Sequence, residues 1–192
     1  MVTPSPLVSG DKIALVASAR KVSPEEMQPA ADLLAGWGFE VVKGMYLYEE
    51  EHQFAGSDSQ RWADLQMVLD DPSIKAVLFA RGGYGTVRIV DKLDFSRFLQ
   101  HPKWLIGFSD ITVLHSHVQQ HVKVETLHAP MAINFPKTPS LVLESDPDFS
   151  YRVSVPQPVQ ARRISESTLY SAAKLSRSWL LGRHCCAAIR PS

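Results

Sequence analysis

Two stretches decide how this chain folds: Ala80-Arg81-Gly82-Gly83-Tyr84-Gly85 and Gly107-Phe108-Ser109-Asp110-Ile111-Thr112. Each follows a short apolar run, residues 74–80 in the first case and 104–108 in the second. Each precedes a segment with apolar residues at helical spacing. Strand, turn, helix is the repeating unit of a parallel sheet. The first turn is rich in glycine, so its backbone N–H groups are free to face an anion. The second presents a single serine on a tight corner. A nucleophile on one turn and N–H donors on the other are the minimal equipment for acyl transfer. Ser109 is therefore the candidate nucleophile.

Outward from these turns the same alternation continues. Residues 13–18 read as a buried strand, and Ser23-Pro24-Glu25-Glu26 as a helix start with Ser as N-cap, Pro at the first position and acids in the first turn. Residues 39–43 form the next strand. Ser57 opens a helix carrying Trp62, Leu65, Val68 and Leu69, which Asp70-Asp71-Pro72 stops. The glycine turn leads into a helix with Val87, Ile89, Val90 and Leu93. A helix from Asp110 carries Ile111, Leu114 and Val118, and residues 124–128 give a fifth strand. The expected fold class is α/β: an open, mostly parallel sheet flanked by helices, followed by an irregular C-terminal tail.

Composition limits the function. The 192 residues carry 20 basic and 20 acidic side chains, which leaves no electrostatic footprint for nucleic acid or an anionic membrane. No apolar run has the length of a membrane span, and the opening Met-Val-Thr-Pro-Ser-Pro is not a secretory signal. Cys185 and Cys186 are adjacent, which suits neither an ordinary disulfide nor a metal site, so the expected compartment is cytoplasmic.

Each candidate has a plain alternative. Ser109 before a periodic segment also fits a simple N-cap. Ile111 stands where an α/β-hydrolase elbow would carry glycine. Gly82, Gly83 and Gly85 also fit an ordinary tight turn; they lack the third glycine of a dinucleotide fingerprint and the Gly-Lys-Ser/Thr of a phosphate loop. Arg81 suits a substrate carboxylate or a neighbouring acid. His117 and His121 lie four apart on one helix without a carboxylate in register, a weak metal signal. His115 lies on the helix that runs away from Ser109, which makes it an awkward base, and His128 ends a strand on the same rim. A binding module holding a small anion or a peptide carboxylate without chemistry is the alternative function.

Taken together, the segments resemble the L,D-carboxypeptidase family of serine peptidases, the muramoyl-tetrapeptide carboxypeptidase and microcin-immunity group. The matching stretches, in order, run from Gly10-Asp11 to Ser18, from Phe54 to Asp58 with Arg61, and from Asp71-Pro72 to Ala76. The two turns, Leu93-Asp94 between them, and His128-Ala129-Pro130-Met131 complete the set. The resemblance implies a cytoplasmic enzyme that removes the terminal D-alanine from a murein tetrapeptide. In it Ser109 would be the nucleophile of a Ser-His-Glu triad. The N–H groups of Asp110 and Gly83 would form the oxyanion hole, and Arg81, Gly82 and Tyr84 would hold the substrate. It implies no metal or organic cofactor, and homodimers among full-length members.

The same resemblance divides the chain. Residues 1–135 form the nucleophile domain, 136–166 a linker toward a C-terminal domain that supplies the glutamate and histidine, and 167–192 an anomalous, disordered tail. The tail, with Arg-His-Cys-Cys at 183–186, departs from the family, so a truncated or frameshifted product is expected, inactive in this short form for want of its base.

Overall fold

Lys12–Val16 (β2) is an interior strand of the main sheet, and its residues Ile13 to Val16 are almost wholly buried. A strand that is apolar on both faces needs a layer on each side, the signature of a parallel α/β sheet. The computed structural model describes residues 1–137 and the backbone of 153–154. The described residues fall within one unit spanning Met1–Val155. The expected linker and tail therefore lie almost entirely outside the described residues.

Leu7–Val8 (β1) precedes β2 and pairs in parallel with Val153–Ser154 (β7) as a separate two-stranded sheet. After β2 the chain forms Pro24–Gly36 (α1), Glu40–Lys43 (β3), Asp58–Asp70 (α2) and Ile74–Phe79 (β4). It continues through Ser96–Gln100 (α3), Trp104–Gly107 (β5), Thr112–His117 (α4) and Leu127–His128 (β6). The main sheet has the order β3-β2-β4-β5-β6, with every neighbouring pair parallel. The chain moves from β2 outward to β3, then crosses back to place β4 on the other side of β2. That reversal is a topological switch point, the place where open α/β sheets bind ligands beyond their strand ends.

Local sequence explains the helices. Both α1 and α2 begin in capping boxes: Ser23 with Glu26, and Ser57 with Gln60. Each box satisfies two N–H groups that helix geometry leaves without an internal acceptor. At the far end of α2 the buried Lys103 Nζ donates to the Val68 carbonyl at 2.8 Å and to the Asp71 carbonyl. Burial lowers that ammonium to a pKa of about 8. Ile111, Leu114 and Val118 are each fully buried and join one apolar cluster with Val77, Phe79 and Leu105. Each such side chain contributes roughly 1.5–3 kcal/mol relative to exposure, which fixes the segment after Ser109 against the sheet.

Four expectations need correction. The helix after the glycine turn is instead two 3-10 turns, Thr86–Arg88 and Val90–Lys92. The buried positions there are Thr86, Ile89, Val90 and Leu93, the i, i+3, i+4, i+7 pattern that reads as a helix, but the Thr86 N–H at the start of the segment is tied to the Asp110 carboxylate at 3.0 Å. The segment from Asp110 starts as a 3-10 turn, Ser109–Ile111, becomes α4, and widens into a π turn at Val118–Val122. The fifth strand shrinks to Leu127–His128, because Val124 pairs instead with Val2. Trp62 stays partly exposed, with its indole N–H donating to the Lys92 carbonyl at 3.0 Å.

Candidate active site

The two turns that the sequence singles out leave the sheet from adjacent strands, β4 and β5, at their carboxyl ends. Ser109 follows β5 after one extended residue, Phe108, and has φ +59, inside the left-handed region. For a residue with a side chain that conformation costs about 1–2 kcal/mol. The corner is held from several sides. Gly107 is tight because a Cβ there would lie 3.0–3.2 Å from the Ile111 side chain. The Gly107 carbonyl accepts both the Ala129 N–H at 3.1 Å and the His115 ring at 2.9 Å. The Ile111 N–H donates to the Phe108 carbonyl at 3.2 Å. Strain that persists under so many restraints points to a functional corner.

The glycine turn closes over this corner. A Cβ on Gly82 would lie 3.3 Å from the Asp110 nitrogen and 3.4 Å from the Ser109 Cβ. Gly83 and Gly85 have φ +122 and +153, and a Cβ on Gly85 would come within 2.9 Å of the Ala19 Cα. The Asp110 carboxylate accepts the Thr86 N–H at 3.0 Å, and the buried Thr86 hydroxyl shares a hydrogen bond with Ser18 at 2.8 Å. Ser109 itself is exposed to solvent. An exposed hydroxyl on a strained corner, next to an N–H at the start of a helical turn, has the geometry of acyl-transfer chemistry.

The remaining candidates fall into place around this pair. Arg81 is half-buried, with a guanidinium nitrogen 3.9 Å from the Glu26 carboxylate. Tyr84 is exposed beside the Phe54 ring, 6.3 Å between centroids. Phe54 in turn lies under the Arg61 and Arg88 guanidinium groups, both of which pair with Asp58. His128 stands opposite Gly107 in the β5–β6 register, on the rim of the corner, 6.1 Å from the Phe108 ring. Among the described residues, no histidine or carboxylate side chain hydrogen-bonds the Ser109 hydroxyl.

His115 does different work from the base that a neighbouring histidine suggests. Its Nε2–H donates to a carbonyl, its Nδ1 is buried with no hydrogen-bond partner among the described residues, and burial pushes its pKa down to about 4. It is a neutral group that holds Gly107 in place. Sequence reasoning missed this role, and it missed the Asp110 carboxylate and the Ser18–Thr86 pair. A carboxylate directly after a corner residue was the only signal for the second.

The fold and the corner together define a class: an open α/β domain with a serine turn and a facing glycine turn at its strand ends. The chain belongs to the LD-carboxypeptidase family, whose N-terminal domain it matches over residues 13–129. It is 39% identical over 128 residues to a Bacillus subtilis protein named probable murein peptide carboxypeptidase, covering 67% of this chain and 40% of the relative. It is 33% identical over 129 residues to the murein tetrapeptide carboxypeptidase of Pseudomonas aeruginosa, covering 67% of this chain and 42% of that protein. A crystal structure of an MccF-like protein from Bacillus anthracis superposes with a TM-score of 0.73 at 27% identity, covering 80% of this chain and 47% of the other. The chain thus spans less than half the length of these relatives.

Proposed function

We propose that this chain carries the nucleophile domain of a serine L,D-carboxypeptidase that releases the terminal D-alanine from murein tetrapeptide in the cytoplasm. Ser109 attacks the carbonyl carbon of the bond between the L-residue and D-alanine. The N–H groups of Asp110 and Gly83 stabilise the oxyanion, and Arg81, Gly82 and Tyr84 border the peptide. The observation that carries this reading is the strained Ser109 corner with Gly82 packed against its Cβ and the following nitrogen. The murein-peptide names of two relatives support the substrate class.

The serine needs a base to become nucleophilic at neutral pH. His115, neutral and bonded to Gly107, is not that group. The reading assigns the base to the Ser-His-Glu triad that the family resemblance implies, with its histidine and glutamate from a C-terminal domain beyond residues 1–135. Without them the rate falls by several powers of ten while the oxyanion hole still contributes. The domain assignment and a homodimeric state belong to the same proposal.

The test is to incubate the protein with murein tetrapeptide and follow free D-alanine by mass spectrometry. Release that disappears in Ser109→Ala supports the reading. Release that survives the substitution removes Ser109 from the chemistry.

A further inference from the structure

Arg20 lies just beyond the carboxyl end of β2, on one side of the switch point, and the glycine turn lies beyond β4 on the other. Its backbone is fixed. Arg20 forms an antiparallel bridge with Phe54, and the Ala55 N–H donates to the Ala19 carbonyl at 3.0 Å. The Lys21 N–H donates to the Gln53 carbonyl at 3.1 Å. From this base the side chain crosses Gly83, where any Cβ would collide with the Arg20 Cγ and Cδ. The stem is therefore seated on a glycine that cannot become anything larger, while the residue as a whole remains exposed.

The other cations bordering the turn are already committed. Arg81 faces Glu26 at 3.9 Å, Lys21 bonds Glu50 at 2.6 Å, and Arg88 grips both oxygens of Asp58. Among the described residues, no acid lies within ion-pair distance of Arg20. A guanidinium whose stem lies against Gly83, without an acid, is prepared to receive a carboxylate, which it can bind through two parallel hydrogen bonds.

The spacing suits an enzyme that trims chain ends. Consecutive glycines face the two parties: Gly82 contacts the Ser109–Asp110 corner and Gly83 contacts Arg20. In a peptide losing its last residue, the terminal carboxylate belongs to the residue directly after the scissile carbonyl, about 3.8 Å further along the chain. We propose that Arg20 binds the terminal α-carboxylate of the residue to be released, and so restricts the site to chain ends. The assignment rests on Ser109 being the nucleophile and extends it with a specificity-determining group.

The experiment uses the Ser109→Ala form of the chain, so that nothing is turned over. Two peptides ending in an L-residue followed by D-alanine, one a free acid and one a C-terminal amide, are titrated calorimetrically. The proposal expects the acid to bind about 10- to 100-fold more tightly, the scale of a lost charge-assisted hydrogen-bond pair. Arg20→Gln brings the acid down to the level of the amide, and Arg20→Lys recovers part of the difference. Discrimination that survives Arg20→Gln, or that disappears only in Arg81→Gln, overturns the proposal and leaves Ser109 untouched. Equal binding of acid and amide by the Ser109→Ala parent also overturns it. Failure of both peptides to bind a folded parent overturns the reading of the site itself, and this assignment with it.

Discussion

The Asp110 carboxylate accepts the Thr86 N–H at 3.0 Å and so joins two turns that are 24 residues apart. One residue thus presents a backbone N–H beside Ser109 while its side chain anchors the loop that closes over it. A hydrogen bond to a charged acceptor is worth roughly 1.5–3 kcal/mol, more than enough to set the loop's resting position. Asp110→Ala should lower stability in chemical denaturation by about 1–2 kcal/mol. It should also slow labelling of Ser109 by a fluorophosphonate at least tenfold. Asp110→Asn retains an acceptor oxygen and should keep most of both. Equal losses in the two variants would show that charge, and not the tie to Thr86, sets the loop.

Ser109 holds its corner at φ +59, a conformation that glycine reaches without strain. Ser109→Gly should therefore be more stable than Ser109→Ala by about 1 kcal/mol, although both remove the hydroxyl. Equal melting temperatures for the two would mean that the corner relaxes in solution and stores no strain.

The glycines of the facing turn should separate function from stability. At Gly82 a methyl group would meet the Asp110 nitrogen at 3.3 Å, so Gly82→Ala should cut fluorophosphonate labelling at least tenfold with a small loss of stability. At Gly85 the obstacle is the Ala19 Cα at 2.9 Å together with φ +153, so Gly85→Ala should chiefly destabilise the fold, as thermal melting would show. The reverse pattern would remove Gly82 from the site.

His115 predicts a pH dependence with a definite sign. Its folded pKa of about 4 lies below the ordinary histidine value of 6.5, because burial disfavours the imidazolium, so the unfolded chain binds the extra proton first as pH falls. Its share of stability is complete above about pH 6.5, declines between 6.5 and 4, and amounts to about 3 kcal/mol in all. His115→Gln should flatten the denaturation midpoint across that window, because glutamine has no proton to gain. A midpoint that falls as steeply in the variant would assign the dependence to other groups.

Much of this was legible in the sequence because it rests on local rules. Ser23 and Ser57 with an acid or amide three residues on announce capped helices, and the apolar runs of β2, β4 and β5 announce a buried parallel sheet. What could not be read depends on contacts between distant segments. The apolar residues after Gly85 fit a helix or two 3-10 turns about equally; the tie from Asp110 to Thr86, which only tertiary structure supplies, accompanies the second choice. Val124 looks like part of the fifth strand but forms an isolated bridge with Val2, from the other end of the described sequence. His115 reads as a titratable group near a nucleophile, and only its burial against the Gly107 carbonyl makes it a neutral prop. Arg20 carried no local signal, since its place is defined by Gly83 and Phe54.

The most direct test of Ser109 as the nucleophile is to treat the folded protein, in a form joined to the C-terminal domain to which the proposal assigns the base, with a fluorophosphonate, digest it, and map the adduct by mass spectrometry. The account predicts one adduct on the peptide that contains Ser109, protected by murein tetrapeptide and absent from Ser109→Ala. A folded protein whose Ser109 stays unmodified, or reacts no faster than its other serines, would contradict it.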